Sequence, residues 1–128
     1  MGHVYVDLTL RGQKEEVTLK DVLIDTGATY TIMPEEMLTK AGAVKLAYRS
    51  YLELGDGRHV EADFYTSIIK IEDREAPIAI ATFKDAKPLI GVLALESLGL
   101  KVDPLTGKLE PTRPRGIAYL YSALSTSA

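Results

Sequence analysis

An apolar run that ends in a carboxylate and a glycine constrains this chain more than any other feature. Residues 22–24 (Val-Leu-Ile) are followed directly by Asp25, Thr26 and Gly27. Aspartate and glycine are disfavoured inside strands, so the pattern indicates a buried strand that delivers one carboxylate to a fixed point. The glycine would allow a tight turn or the close approach of another backbone. An ordinary strand-to-loop turn explains the same three residues equally well.

The composition fits one globular domain and excludes several classes of function. The chain has 128 residues, 46% of them hydrophobic and 26% charged, with a net charge of −3. Without a dense Lys/Arg run, a nucleic-acid partner is not expected, and no apolar run approaches a membrane span. The absence of cysteine removes disulfides, thiol nucleophiles and thiolate metal sites. Because the start lacks the basic and apolar regions of a signal peptide, we expect a cytoplasmic protein.

The first third of the chain predicts strands and one short helix. Alternating apolar residues predict a hairpin over residues 3–20, followed by a strand at 22–24 that is buried on both faces. Residues 31–33 form another short extended piece. A helix then begins at Pro34, with acidic residues in its first turn, and stops at Gly42.

The middle of the chain predicts a projecting hairpin and two further strands. Strand-like residues 51–54 and 58–61 flank Gly55, Asp56 and Gly57, and Asp-Gly is a strong hairpin signal. Charged residues in this hairpin suggest that it stands away from the core. Strands at 67–71 and 77–81 follow, on either side of a charged turn that we expect to be solvated.

The last third repeats the opening pattern in a weaker form. Leu89, Ile90 and Gly91 echo the earlier apolar strand and small-residue turn, and a short helix over 93–98 follows. A last hairpin is predicted over residues 100–110. Residues 117–124 are apolar and form either a strand at a dimer interface or an edge strand within the chain.

Together these segments resemble the retropepsin-like aspartic proteases, single-lobe relatives of pepsin that act as homodimers. The resemblance rests on residues 23–29 as the catalytic loop, 55–57 as the flap tip and 89–91 as the second apolar-apolar-Gly motif. It implies an all-β (mainly β) fold, a retropepsin-like closed barrel with one or two short helices and one lobe per chain. The protease domain would span residues 1–110, and 111–128 would be a C-terminal extension, a candidate dimer-interface segment.

The implied function is aspartic endopeptidase activity, with Asp25 as the catalytic residue. Peptide hydrolysis by carboxylates needs two of them facing one water, one as base and the other, protonated, as acid. The chain has one Asp-Thr-Gly, so the second carboxylate must come from a symmetry mate in a homodimer. Such an enzyme hydrolyses a peptide or protein substrate and needs no metal or organic cofactor.

By the same resemblance, the neighbours of Asp25 form the active-site loop. Thr26 would link the two loops of the dimer, Gly27 would leave room for the substrate backbone, and Ala28 and Thr29 would keep the turn small.

The resemblance also implies a substrate-binding flap and apolar walls. Residues Gly55, Asp56 and Gly57 would form a mobile flap over bound peptide. Ile32, Met33 and Ile90 are candidate walls for substrate side chains, although a plain core role explains each of them as well.

Two departures from viral members leave a second function open. Asp56 adds a charge to a flap tip that is usually richer in glycine, and Val92 stands where viral members carry an arginine that supports the dimer. The alternative is therefore a catalytically silent retropepsin-fold module for dimerisation or peptide binding. His3 and His59 lack the spacing of metal ligands and are interpreted as solvated surface residues.

Overall fold

The chain is built mainly from β-strands. A computed structural model describes residues 3–119, of which 50% lie in strands and 12% in two short helices. The expectation of a mainly β fold with one or two short helices is thus confirmed. In chain order the elements are β1 (Val4–Arg11), β2 (Glu16–Ile24), β3 (Thr31–Ile32), α1 (Glu35–Ala41), β4 (Val44–Glu53), β5 (His59–Ile71), β6 (Arg74–Thr82), β7 (Leu89–Ile90), α2 (Val92–Leu98), β8 (Leu100–Val102) and β9 (Leu109–Pro111).

The first two strands form the predicted hairpin, but β2 is longer than expected. The strands pair antiparallel, with a shift of register between Val6 and Leu8. Opposite this shift, Asp21 takes a left-handed backbone angle (φ 54°) and donates its N–H to the Asp7 carboxylate (3.1 Å). Such a bulge bends a strand without ending it. Residues 22–24, predicted as a separate strand, are therefore the end of β2.

Seven strands form one sheet whose pairings close into a ring. The order is β1-β2-β7-β3-β6-β5-β4, and β1 also pairs with β5, so six strands form the ring and β4 lies outside it. β7 lies parallel to β2 and β3 lies parallel to β6, while the other pairs are antiparallel. The parallel pairing brings the carboxyl ends of β2 and β7 to the same edge of the sheet.

The strand β5 joins the predicted hairpin to the ring. Its 13 residues pair first with β4 and then with β6, which confirms the hairpin around residues 55–57. The segments 58–61 and 67–71, predicted as separate strands, are one continuous strand. Between them Phe64 and Tyr65 are both buried, in different clusters, so the alternation that would have marked a strand is lost there.

Both short helices end as the sequence predicts. Gly42 and Gly99 take left-handed backbone angles (φ 78° and 71°) directly after α1 and α2, and their N–H groups bond to the last turn. Pro34, predicted as the first helical residue, instead precedes the helix, because its ψ of 140° is extended. Among the described residues, no helix is both long and apolar enough to cross a membrane.

Two apolar clusters stabilise the fold. The larger one gathers side chains from the ring and from both helices, and the smaller one lies where β4 and β5 join the ring. The fully buried large hydrophobic side chains of the larger cluster are Leu8, Leu10, Met33, Leu38, Ile69, Ile71, Ile80 and Ile90.

The charged turn after β5 is only partly solvated. Glu72, Asp73 and Glu75 are exposed, but Arg74 begins β6 and is only 9% exposed. Its side chain reaches the end of α2, more than twenty residues away in sequence, which is why the local pattern suggested a solvated residue. The expectation for Arg74 was wrong.

The C-terminal part confirms the last hairpin and leaves the candidate interface strand largely outside the described residues. β8 and β9 pair antiparallel as a separate two-stranded sheet. Residues 117–119 belong to no strand, and residues 120–124 of the segment 117–124 lie beyond the described range.

Candidate active site

Asp25 lies where β2 leaves the sheet. Its N–H donates to the carbonyl of Ile90 (2.9 Å), which extends the parallel pairing of β2 and β7 by one residue. The chain then turns, and the Ala28 N–H donates to the Asp25 carbonyl (3.0 Å). The Gly27 N–H donates to Oδ1 of the Asp25 side chain (2.9 Å). An exposed carboxylate is therefore held in place by its backbone and oriented through one of its oxygens.

The second apolar-apolar-Gly motif lies directly against this loop. Leu23 is the register partner of Leu89, and Ile24 that of Ile90, so the echo seen in the sequence is a spatial pairing of two strands. Past the end of β7, the Gly91 N–H donates to Oγ1 of Thr31 (3.2 Å), a residue that is only 1% exposed. The two motifs thus form one bonded unit.

The start of α2 completes the support of the loop. The Val92 N–H donates to the carbonyl of Ala28 (2.7 Å), and the Leu93 N–H donates to that of Thr29 (3.2 Å). The first N–H groups of a helix have no partner within the helix, so these amides are free to bond the loop carbonyls. The position of the Asp25 loop therefore depends on the position of α2.

Thr26 and Gly27 occupy the exposed part of the loop. In the described part of the chain, the Thr26 hydroxyl has no hydrogen-bond partner. Thr26 also borders a groove of about 440 Å³ that is lined by apolar and charged side chains of α2 and β8 and by residues 112 and 113. A Cβ added at Gly27 would approach only Oδ1 of Asp25, at 3.2 Å. Both residues are thus open to solvent at the surface of the loop.

A row of partly exposed apolar side chains crosses three strands beside Asp25. Leu89 is the register partner of both Leu23 and Ile32, and register partners point to the same face of a sheet. All three are partly exposed. The sequence interpretation identified only Ile32, because the register that brings Leu23 and Leu89 beside it cannot be read from either segment alone.

Two of the predicted apolar walls belong instead to the core. Ile90 and Met33 are both 0% exposed and lie in the larger cluster. Strand geometry gives the reason for Ile90, because neighbouring residues of a strand point to opposite faces, and Leu89 takes the exposed side. Neither buried residue can contact a ligand in this structure.

The hairpin tip is exposed, and its charge is paired within the turn. The Gly57 N–H donates to the Leu54 carbonyl (2.9 Å), and Gly57 has a φ of 87°. The Asp56 carboxylate accepts the backbone N–H of Arg58 (3.0 Å) and the Nε–H of its side chain (2.7 Å). These two bonds, the backbone one first, lower the pKa of Asp56. The extra charge in this turn is therefore balanced by Arg58.

Aromatic residues connect the base of the hairpin to the Asp25 loop. Tyr30, at the end of the loop, packs edge-on against Phe64 of β5 with ring centroids 5.0 Å apart, and Tyr48 of β4 packs against the same ring at 5.2 Å. Leu52 and Ile32 complete this smaller cluster. The hairpin and the loop thus share one apolar support.

The histidines show no sign of a metal centre. His59 is exposed and lies 3.1 Å from a carboxylate oxygen of Glu53, across the hairpin. His3 lies near the ring of Tyr5. Within residues 3–119, no group of three His, Asp or Glu side chains is arranged to hold a metal ion.

No model of a known protein family matches this chain, and no curated protein matches it.

Proposed function

We propose that this protein is a retropepsin-like aspartic endopeptidase that works as a homodimer. The observation that carries the proposal is the exposed Asp25 carboxylate, oriented by the Gly27 N–H (2.9 Å) at the carboxyl end of β2, directly after the buried Ile24. The loop that carries it is bonded to β7 and to the first amides of α2. A single carboxylate held this firmly and left open to solvent suits a reaction in which a second copy supplies its partner.

In the proposed mechanism, the Asp25 carboxylates of two protomers face one water molecule. Two carboxylates this close share one proton, because both cannot ionise at low cost. The ionised group takes a proton from the water, while the protonated group donates a hydrogen bond to the scissile carbonyl. These roles belong to the pair rather than to one protomer. The reaction forms no covalent intermediate and uses no cofactor.

The surroundings of Asp25 support an extended peptide as the substrate. Leu23, Ile32 and Leu89 offer a partly exposed apolar surface next to the carboxylate, suited to an apolar substrate side chain. The hairpin tip at residues 55–57 would close over the peptide as a flap and exclude water. Thr26, whose hydroxyl is unbonded in the described part of its own chain, would bond to the partner loop.

The proposal is tested by peptide cleavage with a matched pair of variants. Asp25→Asn should abolish cleavage of a diverse peptide library at every pH from acidic to neutral, because an amide can neither accept the water proton nor share one. The control is Asp21→Asn. Asp21 is exposed, lies in the same strand and has a left-handed backbone angle that asparagine also tolerates. This variant should cleave as the unmodified protein does.

Three outcomes are informative. Cleavage that is lost in Asp25→Asn and retained in Asp21→Asn supports the proposal. Substantial cleavage by Asp25→Asn would contradict the proposal. A folded dimer that cleaves nothing would favour the catalytically silent module for dimerisation or peptide binding.

A further inference from the structure

The C-terminal end of α2 is held by two arginines that lie far from it in sequence. The last carbonyl groups of a helix have no partners within the helix. In α2 the Glu96 carbonyl accepts the Gly99 N–H (3.1 Å), and the helix has no basic residue in its own last turn. Arg113 donates from Nη1 to the Glu96 carbonyl (2.8 Å) and from Nη2 to the Ser97 carbonyl (2.7 Å). Arg74 donates from Nη1 to the next two carbonyls, those of residues 98 and 99, both at 3.1 Å.

Arg113 also forms one bond within the segment that follows β9 and one bond with Arg74. Its Nε–H donates to the Ile117 carbonyl (2.7 Å), and its own carbonyl accepts Nη2–H of Arg74 (2.8 Å). The neighbouring Thr112 N–H donates to the Gly99 carbonyl (2.7 Å). Residues 112–117 thus form a strap across the end of α2, fastened by one guanidinium that bonds three carbonyl groups.

The chemistry of the guanidinium explains why this position holds arginine. Its planar fork can donate to two successive carbonyls at once, which the single ammonium of lysine cannot do with the same geometry. A cation at the carboxyl end of a helix also interacts favourably with the helix dipole. Among the described residues, neither Arg74 nor Arg113 forms an ion pair with a carboxylate. The charges of both arginines are directed at the helix end.

We infer that Arg113 is a positioning residue for Asp25, acting through α2. The amino end of α2 bonds the loop carbonyls of Ala28 and Thr29 (2.7 and 3.2 Å), while its carboxyl end is held by the strap. A helix of seven residues transmits a shift at one end directly to the other. Within the segment after β9, the Arg113 side chain therefore helps to set the position of the carboxylate, and its loss should disturb the site. The inference rests on the proposed function for its kinetic consequence only.

The test compares Arg113→Gln with Arg115→Gln. Arg115 is exposed and bonded to Asp73 at 3.4 Å, so its replacement is a matched control two residues away. Under conditions where both proteins are folded and dimeric, Arg113→Gln should lower kcat about tenfold or more with little change in KM, because misplacement of a reacting group acts on the transition state. Arg115→Gln should leave both constants unchanged.

Amide hydrogen exchange provides a second readout that does not require activity. In Arg113→Gln, the amides of Val92 and Leu93 should exchange at least about tenfold faster. The amides that bond β5 to β6 should keep their protection. Arg113→Lys should move both readouts in the same direction to a smaller extent. If Arg113→Gln does not fold, kcat and amide exchange in Arg113→Lys test the inference instead.

The outcomes separate this inference from the proposed function. If the unmodified protein cleaves no peptide, the proposed function fails, while exchange at Val92 and Leu93 still tests the role of Arg113. Unchanged exchange there overturns the inference, and so does faster exchange spread evenly over the sheet, which would mean general destabilisation. If the protein cleaves peptides, an unchanged kcat in a folded Arg113→Gln dimer also overturns it.

Discussion

A side-chain carbon at Gly91 would fall against the backbone of Tyr30 and Thr29. The φ of Gly91 is −93°, which any residue can adopt, so the need for glycine is steric. Backbone atoms cannot move aside as the end of a flexible side chain can. We therefore expect Gly91→Ala to lower the free energy of unfolding by about 1–3 kcal/mol, measured by chemical denaturation, and to reduce cleavage because the Asp25 loop must shift.

The control for this substitution is Gly55→Ala in the hairpin tip. A Cβ at Gly55 would meet no atom within 4 Å, and the backbone there does not take a positive φ. Its unfolding free energy should stay within about 0.5 kcal/mol of the unmodified value. Equal losses in the two variants would mean that the close approach at Gly91 is not what makes alanine unfavourable there.

The placement of single residues could be predicted from the sequence where their signal is local. A carboxylate and a glycine directly after an apolar strand are unusual, and the structure leaves the Asp25 carboxylate exposed and oriented at the end of β2, while its catalytic role stays a prediction. Leu89 was missed because its exposed face depends on pairing with Leu23 and Ile32. Arg74 was misjudged for a similar reason, since the carbonyls it bonds lie on α2 and at residue 113.

At the scale of elements, turns and helix ends were predicted better than the extent of strands. Hairpin tips and left-handed glycines such as Gly42 and Gly99 carry their signal within a few residues. The continuity of β5 and the start of β4 at Val44 have no such local signal. β4 is largely exposed, so it lacks the apolar alternation by which strands are recognised, and its partner β5 determines where it begins. The pairing of β1 with β5 is likewise non-local.

One contact between elements makes stability depend on alkaline pH. The hydroxyl of Tyr65 in β5 donates to Oε2 of Glu35 in α1 (2.8 Å). Burial, followed by the neighbouring carboxylate, raises the pKa of Tyr65 from 10.0 to about 12. Between these two pKa values the tyrosine loses its proton in the unfolded chain and keeps it in the folded chain. The contribution of this contact to stability is therefore fully present below about pH 10 and is lost as pH rises toward 12. Because the bond to Glu35 is only partly buried, the loss should be about 1–2 kcal/mol.

The measurement is the unfolding free energy of the unmodified protein and of Tyr65→Phe between about pH 8 and pH 12. Phenylalanine cannot ionise, so the difference in stability between the two proteins should shrink by about 1–2 kcal/mol as pH rises. Tyr51→Phe, at a tyrosine that is 70% exposed, should show no such change in its difference from the unmodified protein. A constant difference for Tyr65→Phe would contradict the assigned environment.

At the scale of the whole molecule, the strands of one chain complete their own ring, but one chain supplies only one of the two carboxylates of the proposed site. Six strands complete a ring of pairings within one chain, and both helices contribute buried apolar residues to the larger cluster. Asp25 and Thr26, by contrast, remain exposed on a loop whose backbone is well bonded. A chain that completes its core and leaves the carboxylate of the proposed site exposed is suited to isologous association, in which each copy presents the same residues to the other.

Mixing the unmodified protein with Asp25→Asn tests whether the two carboxylates come from different chains. At fixed total concentration and after full exchange of subunits, an equal mixture contains about a quarter of unmodified homodimers. If only these hold the shared proton between two carboxylates, cleavage should fall to about a quarter of the unmixed value. A monomeric enzyme would retain about half, because each intact chain acts alone. Mixing with Asp21→Asn should cause no loss, since every dimer then keeps both Asp25 carboxylates. Retention of half the activity despite proven subunit exchange would mean that one Asp25 suffices, and the shared-dyad mechanism would have to be abandoned.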